Sequence, residues 1–259
     1  MFQAPIRKFT RLSAGVAAGV TLALSLALAG QVQADEVTDP VQAAIDSPDR
    51  PAIDKQRDAA RKPAAIIKFA GIKPGMTVLD VNSATGWYTE LFSRVVGPDG
   101  TVYAHNGPAY LGFMKGNVGP RYDDGRLPNV IQLRSTSSEN FDLPEDTVDV
   151  AMMTLVYHDY FAGAHGPIAP ILASLHKVMK PGGAVVIVDH VAKAGSGEHA
   201  GDEYHRIDPA LVKKQMEAAG FKFAGESDVL RNPDDDHMSK PWAKAIRGHT
   251  DRFVYKFVK

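Results

Sequence analysis

Short apolar runs bounded by turns recur five times along the middle of this 259-residue chain. They read "KPGMTVLDV", "GTVYAH", "NVIQLRS", "VDVAMMTLV" and "GAVVIVDHV". Runs this short, rich in valine and entered through Gly or Pro, predict buried strands. Stretches with helical spacing lie between most of them, at residues 86–96 and 168–179, and 108–125 reads as a mobile region. Buried strands alternating with helices call for a mainly parallel sheet, because each parallel crossover passes over a sheet face and leaves a helix there. An amphipathic stretch, "DPALVKKQMEAAGF", is expected to start on Asp208 as N-cap and to stop at Gly220. Two last strands, "KFAGESDVL" and "DRFVYKFVK", complete the pattern. The fold expected is α/β: a single doubly wound, mainly parallel seven-stranded sheet whose last strand is antiparallel.

The two ends of the chain differ in kind. Arg7, Lys8 and Arg11 precede an apolar stretch centred on "VTLALSLALA", which closes with "VQA" before Asp35 and Glu36. That order predicts a secretory signal peptide over residues 1–34, cut after Ala34. The product would be periplasmic or secreted, with no membrane attachment after cleavage. The Arg7-Lys8 pair is not a twin arginine, so the export route stays open between the Sec and Tat systems. Residues 35–56, with Pro40, Pro48 and Pro51, read as a lead-in with little structure; the folded domain is expected over 57–259. Within it, "DKQRDAARKPAAIIKFAGI" has helical spacing interrupted at Pro63 and ended by Gly71. With 44% hydrophobic residues the chain can bury a full core, and a net charge of -1 gives no basic surface for nucleic acid. There is no cysteine, which excludes disulfides, thiolate catalysis and Cys-ligated zinc. Nothing in the sequence fixes the oligomeric state.

In a doubly wound sheet, ligands sit beyond the carboxyl ends of the strands, at the point where strand order reverses. The turn after the first strand, "VLDVNSATGWYT", is therefore the candidate ligand loop. Ser83, Ala84, Thr85 and Gly86 are small enough for close backbone approach, yet only one is glycine. On spacing alone the turn reads either as a cofactor loop or as a plain strand–helix connection.

Three longer stretches, "VLDVNSATGWYTELFSRVVGPDGTVYA", "LPEDTVDVAMMTLVYHD" and "LHKVMKPGGAVVIVDH", resemble the class I S-adenosylmethionine-dependent methyltransferases. More narrowly, "RDAARKPAAIIKFAGIKPGMTVLD", "YHD", "VDH", "HRID" and "DRFVYKF" are similar to an exported bacterial family labelled as predicted methyltransferases. The resemblance covers about residues 55–259 and implies a Rossmann-like sheet, S-adenosylmethionine as cofactor and a small-molecule acceptor. Asp80 then matches the acid closing the first strand, and Asn82, Ala84 and Gly86 lie in the cofactor turn. The acid that holds the ribose hydroxyls in that superfamily falls here on His105-Asn106, so Asn106 is the cofactor residue implied, without a charge. Ser137 lies where the superfamily contacts adenine, and Thr154 where donor and acceptor meet.

Polar residues at the other strand ends supply candidate chemistry. Tyr157 and His158 follow the fourth strand, Asp189 and His190 close the fifth, and His205 lies beyond it. All are expected at the carboxyl edge, around one cleft, as catalytic residues, with His158 taking a proton from an acceptor hydroxyl or amine. Anchoring of loops by these side chains is the alternative. No HxxxH or HExxH spacing is present, so no metal site is expected. "NPDDDH" at 232–237 lacks an EF-hand pattern and reads as a solvated acidic loop. No GxSxG elbow supports a serine hydrolase.

Methyl transfer from S-adenosylmethionine is the reading these residues and the resemblance favour. Two others stay open: a periplasmic lyase, hydrolase or isomerase using a histidine-lined cleft, and a non-catalytic small-molecule binder.

Overall fold

A computed structural model describes residues 39–115, 119–134, 140–162 and 167–259 of the chain. The expected signal peptide and Ser137 lie outside the described residues. The expected strand–helix alternation is present. In chain order the elements are helices α1 (Pro40–Asp46), α2 (Ala52–Lys55), α3 (Asp58–Arg61) and α4 (Pro63–Ala70), strand β1 (Thr77–Val81), α5 (Trp87–Val96) and β2 (Thr101–Asn106). There follow α6 (Pro108–Phe113), a 3-10 turn (Pro120–Gly125), β3 (Val130–Arg134), β4 (Val148–Thr154) and a second 3-10 turn (His158–Phe161). The last elements are α7 (Ile168–Val178), β5 (Met179–His190), α8 (His199–Tyr204), α9 (Pro209–Ala218), β6 (Lys222–Glu226) and β7 (Arg252–Val258).

The strands form one sheet in the order β3-β2-β1-β4-β5-β7-β6. Strands β1 to β5 pair in parallel, and β7 runs antiparallel to β5 and to β6. Order reverses between β1 and β4, so the binding crevice is expected at their carboxyl ends.

Side-chain alternation along each strand divides the core in two. Leu79 and Val81 of β1 face one layer with Leu172 and Leu175 of α7 and Met216 of α9. Val78 faces the other, with Ile66 and Ile67 of α4 and Leu91 and Phe92 of α5. The helix stops follow the sequence. Lys62, in the left-handed region, separates α3 from α4, and Gly71 at φ 82° ends α4. Asp208 caps α9 through Ala210 N at 2.9 Å, as expected.

Two regions are more ordered than their sequence implied. Residues 35–56 read as a lead-in with little structure, yet Asp39 caps α1, whose Val41 and Ala44 are buried in the second layer. Arg50 there makes a paired hydrogen bond to Asp58, both at 2.8 Å. The described part of 108–125, expected to be mobile, holds α6 and the first 3-10 turn. Among the described residues no helix is long and apolar enough to cross a membrane.

Candidate active site

The turn after β1 answers its own composition. Asn82, Ala84 and Gly86 all have positive φ, at 50°, 51° and 78°. The backbone thus takes the left-handed conformation at every second residue, with glycine at only one of the three. Asn82 tolerates this region because its amide bonds locally. Its Oδ1 accepts from Gly107 N at 3.1 Å, and its Nδ2 donates to the Tyr160 hydroxyl at 3.1 Å. Asn106 braces the same turn: its Oδ1 accepts from Ala84 N at 2.9 Å and its Nδ2 donates to Ser83 Oγ at 3.2 Å. Asn82 and Asn106, expected to hold the cofactor directly, are therefore spent on shaping the loop that would hold it. His105 is buried, and burial alone pulls its pKa down to about 4, so it is neutral and no substitute for the missing acid.

Ala84 has no side-chain bond to offset its conformation. A left-handed non-glycine residue costs about 1–2 kcal/mol. Ala84→Gly is accordingly expected to raise the melting temperature by a few degrees, measured by calorimetry. A lower melting temperature would mean that the Ala84 methyl makes contacts worth more than the strain.

Asp80 closes β1 beneath this turn at 3% exposure. Burial pushes its carboxyl up to about 7, against the opposing hydrogen bond from Thr89 and the charge of Arg61. Thr89 Oγ1 donates to its Oδ2 at 2.6 Å. Asp80, Asn82, Ala84 and Thr154 line a cavity of about 190 Å³, together with Arg57, Arg61 and Trp87. The Thr154 hydroxyl is buried there and has no partner among the described residues. The Arg61 guanidinium lies 4.7 Å from the centre of the Trp87 ring and forms no ion pair among the described residues. The two arginines are cavity residues the sequence reading missed. Their signal was "RDAAR", two cations one helical turn apart just ahead of the first strand.

The first 3-10 turn lies over this loop. Arg121 Nε donates to Thr85 O at 2.6 Å, and its guanidinium pairs with Asp54 at 2.6 Å and with Glu90. A Cβ on Gly86 would sit 2.1 Å from the Tyr122 hydroxyl and push that ring aside, but it is the φ of 78° that fixes glycine here.

A second cavity, of about 590 Å³, opens beyond β4 and β5. Tyr110, Phe113, Leu155, Pro241 and Trp242 form apolar walls, and His158, Asp159, His190 and His205 its polar side. Tyr110 and Leu155 also line the first cavity, so the two adjoin. Asp189 is fully buried and organises the polar side. Its Oδ1 accepts from His158 Nδ1 and from His190 N, both at 2.7 Å, and its Oδ2 accepts from His158 N at 3.0 Å. His158 Nε2 lies 3.2 Å from Asp159 Oδ1. Burial opposes a charge on His158, but the two carboxylates outweigh it and raise the pKa to about 10. The two carboxylates therefore favour the protonated ring in the ligand-free protein, and His158 could serve as the base the sequence assigned only after giving up its Nε2 proton. His190 Nδ1 pairs with Thr250 Oγ1 at 2.7 Å, and burial, with the His158 charge, holds His190 well below its ordinary pKa.

Of the five expected catalytic residues, the structure brings His158, His190 and His205 to one cavity with Asp189 directly behind. Tyr157 does not join them. It is wholly buried in the opposite core layer, and its hydroxyl donates to Gln215 Oε1 of α9 at 2.9 Å. Tyr157 lies three residues past β4, in helical conformation at the start of the 3-10 turn, and that turn directs it to the core while His158 faces the cavity. Tyr110 was missed, and Asp159, which the sequence places beside His158, was not counted among the catalytic residues; Tyr110 OH donates to Asp159. The "NPDDDH" stretch is exposed at Pro233, Asp234 and Asp236, as expected of a solvated loop, but not at its centre. Asp235 is buried and forms a two-bond pair with Arg206, at 2.9 and 3.0 Å.

The chain is 27% identical over 192 residues to a ubiquinone/menaquinone biosynthesis C-methyltransferase UbiE from Saccharophagus degradans, covering 73% of this chain and 67% of that protein. The protein of the same name from Bordetella avium is 28% identical over 184 residues, covering 68% and 65%. The chain thus spans about two thirds of the length of these curated relatives. A solved SAM-dependent methyltransferase from Aquifex aeolicus shares the fold, with TM-score 0.57 and 24% identity over 85% of this chain and 99% of that one. The [4+2]-cyclase SpnF also shares it, with TM-score 0.57 and 17% identity over 79% and 82%. No family model matches.

Proposed function

We propose that this chain, a member of the class I S-adenosylmethionine-dependent methyltransferase superfamily, transfers the methyl group of S-adenosylmethionine to a small acceptor in the larger cavity. The observation that carries this reading is the β1 turn. Its three left-handed residues expose backbone to a cavity that adjoins a second, larger one. The first cavity, of about 190 Å³, is smaller than the ~300–1,000 Å³ usual for ligand sites, and in this reading it widens as the Arg121–Tyr122 cover over the β1 turn moves aside.

Within the first cavity, Asp80 takes the cofactor's ammonium end and Arg61, stacked on Trp87, its carboxylate. The unpartnered Thr154 hydroxyl lines this cavity next to Leu155, which is shared with the larger one, and so stands near the path of the reacting methyl group. Methyl transfer requires the acceptor in line with the sulfonium, so positioning supplies much of the rate. Aromatic walls at Tyr110, Phe113 and Trp242, with polar groups on one side, fit a flat aromatic acceptor bearing a hydroxyl or amine. The names of the curated relatives, which refer to C-methylation in quinone biosynthesis, agree with an acceptor of that kind. The segment 1–34 is proposed to direct export, which cell fractionation with an antibody to the folded domain would test.

Calorimetric titration with S-adenosylmethionine and S-adenosylhomocysteine tests the cofactor. Binding of both, weakened at least tenfold in Asp80→Asn and in Arg61→Ala, is the expected result. No binding at millimolar ligand would overturn the reading and favour a non-methyltransferase enzyme or binder on this fold.

A further inference from the structure

We propose that His158, Asp159 and His205 form a binding site for a divalent first-row transition ion, of which zinc is the best fit. Linear spacing gave no hint of it, because His205 lies far along the chain from the other two. The fold closes that gap. One ligand atom from each residue lies within 4.8 Å of the others. Asp159 Oδ1 is 3.2 Å from His158 Nε2 and 3.8 Å from His205 Nδ1. Four-coordinate zinc, with bonds of about 2.1 Å, needs neighbouring donors about 3.4 Å apart. The two observed separations bracket that value. The closure still required is a rotation of the His205 ring, whose side chain is 30% exposed.

Two further observations point to a ligand. Asp189 is completely buried and accepts a hydrogen from His158 Nδ1 at 2.7 Å. This fixes the ring so that Nε2 faces Asp159 and the cavity, which is how a carboxylate behind a histidine presents it to a metal, and the ion takes the place of the Nε2 proton, which is released to solvent. Asp189 itself is held by two backbone N–H groups, from His158 and His190. His205 stands in the left-handed region at φ 50°, at the end of α8. That costly conformation turns its ring towards His158, at 5.7 Å between centroids, and against Trp242, at 4.7 Å.

The donor set, two imidazoles and one carboxylate, is of borderline hardness and selects first-row transition ions over calcium or magnesium. Three protein ligands leave a fourth position, which opens on the 590 Å³ cavity. An oxygen or nitrogen of the molecule bound there would complete the coordination. The assignment does not depend on whether S-adenosylmethionine is the cofactor.

The test uses the purified protein, stripped with a chelator and dialysed, then titrated with zinc chloride by calorimetry and with cobalt(II) by absorption. One equivalent of zinc should bind, and cobalt should give the visible bands of a four- or five-coordinate site. His205→Ala, at a partly exposed position, and Asp159→Asn should each weaken zinc binding at least tenfold with an unchanged circular dichroism spectrum. Asp189→Asn should weaken it about tenfold through the orientation of His158. Absence of stoichiometric zinc binding overturns the proposal, as does binding that His205→Ala and Asp159→Asn leave intact.

Discussion

Replacing Asp235 by alanine lowers the unfolding free energy by about 3–5 kcal/mol, the cost of leaving a fully buried cation unpaired. Arg206 and Asp235 both have side-chain exposure of 0%. The guanidinium also donates to Val191 O and Ser239 O, at 2.9 Å each. Asp235 in turn accepts from Asp251 N at 2.6 Å. The pair thus ties the end of β5, the segment after α8 and the 232–251 loop into one unit. At about 2–4 °C per kcal/mol for a domain of this size, the melting temperature should fall by roughly 10 °C. Arg206→Met combined with Asp235→Leu should recover most of the loss, because an apolar pair needs no compensation. A loss under about 1 kcal/mol in Asp235→Ala would show that water reaches Arg206 and replaces its partner. Because Arg206 follows His205 directly, the single variant should also disturb the larger cavity.

Cofactor affinity should rise about tenfold per pH unit up to about pH 7 and level off above it. The cause is Asp80. In the ligand-free protein burial raises its carboxyl to about 7, so below that pH it is neutral. A cationic cofactor needs it ionised, and binding then releases a proton. The same group governs stability with the opposite slope. Its folded pKa lies above the ordinary carboxylate value of 3.8, so its contribution to stability is full below that pH and is lost as pH rises through about 7. Asp80→Asn should therefore flatten both curves: weaker binding independent of pH, and a more stable ligand-free protein at pH 8. Calorimetry in buffers of differing ionisation heat measures the released proton directly. A pH-independent affinity in the unmodified protein would remove Asp80 from the cofactor site.

The sheet was legible because its signal is local. Valine-rich runs bounded by Pro and Gly carry their period within a few residues, and alternation with helices restricts topology. The site was legible only as far as strand ends go. That Asp189, His190 and His158 meet followed from the sheet winding. Which side each residue faces did not, since one position decides between cavity and core, and Tyr157 fell on the core side. Arg57 and Arg61 were hidden because their role depends on α3 packing over Trp87, a tertiary fact. The "NPDDDH" stretch misled for a related reason. Three aspartates in a row look solvated until Arg206, distant in sequence, is seen to bury one of them. The glycine-poor turn misled differently. Residue letters report conformation only statistically, and Asn82 and Ala84 hold left-handed angles that glycine would hold with less strain.

Arg121 has a consequence for rates. It joins the carbonyl of Thr85 to Asp54 of α2 and Glu90 of α5, so the β1 turn is covered whenever these bonds are intact. Cofactor association then waits on their rupture. Binding traces should saturate with ligand concentration at a first-order limit, the opening frequency of the clamp. Arg121→Ala should lift that ceiling while leaving the fold of the sheet untouched. The N-terminal helices, which the composition relegated to a lead-in, would thereby set how fast this cleft can be filled.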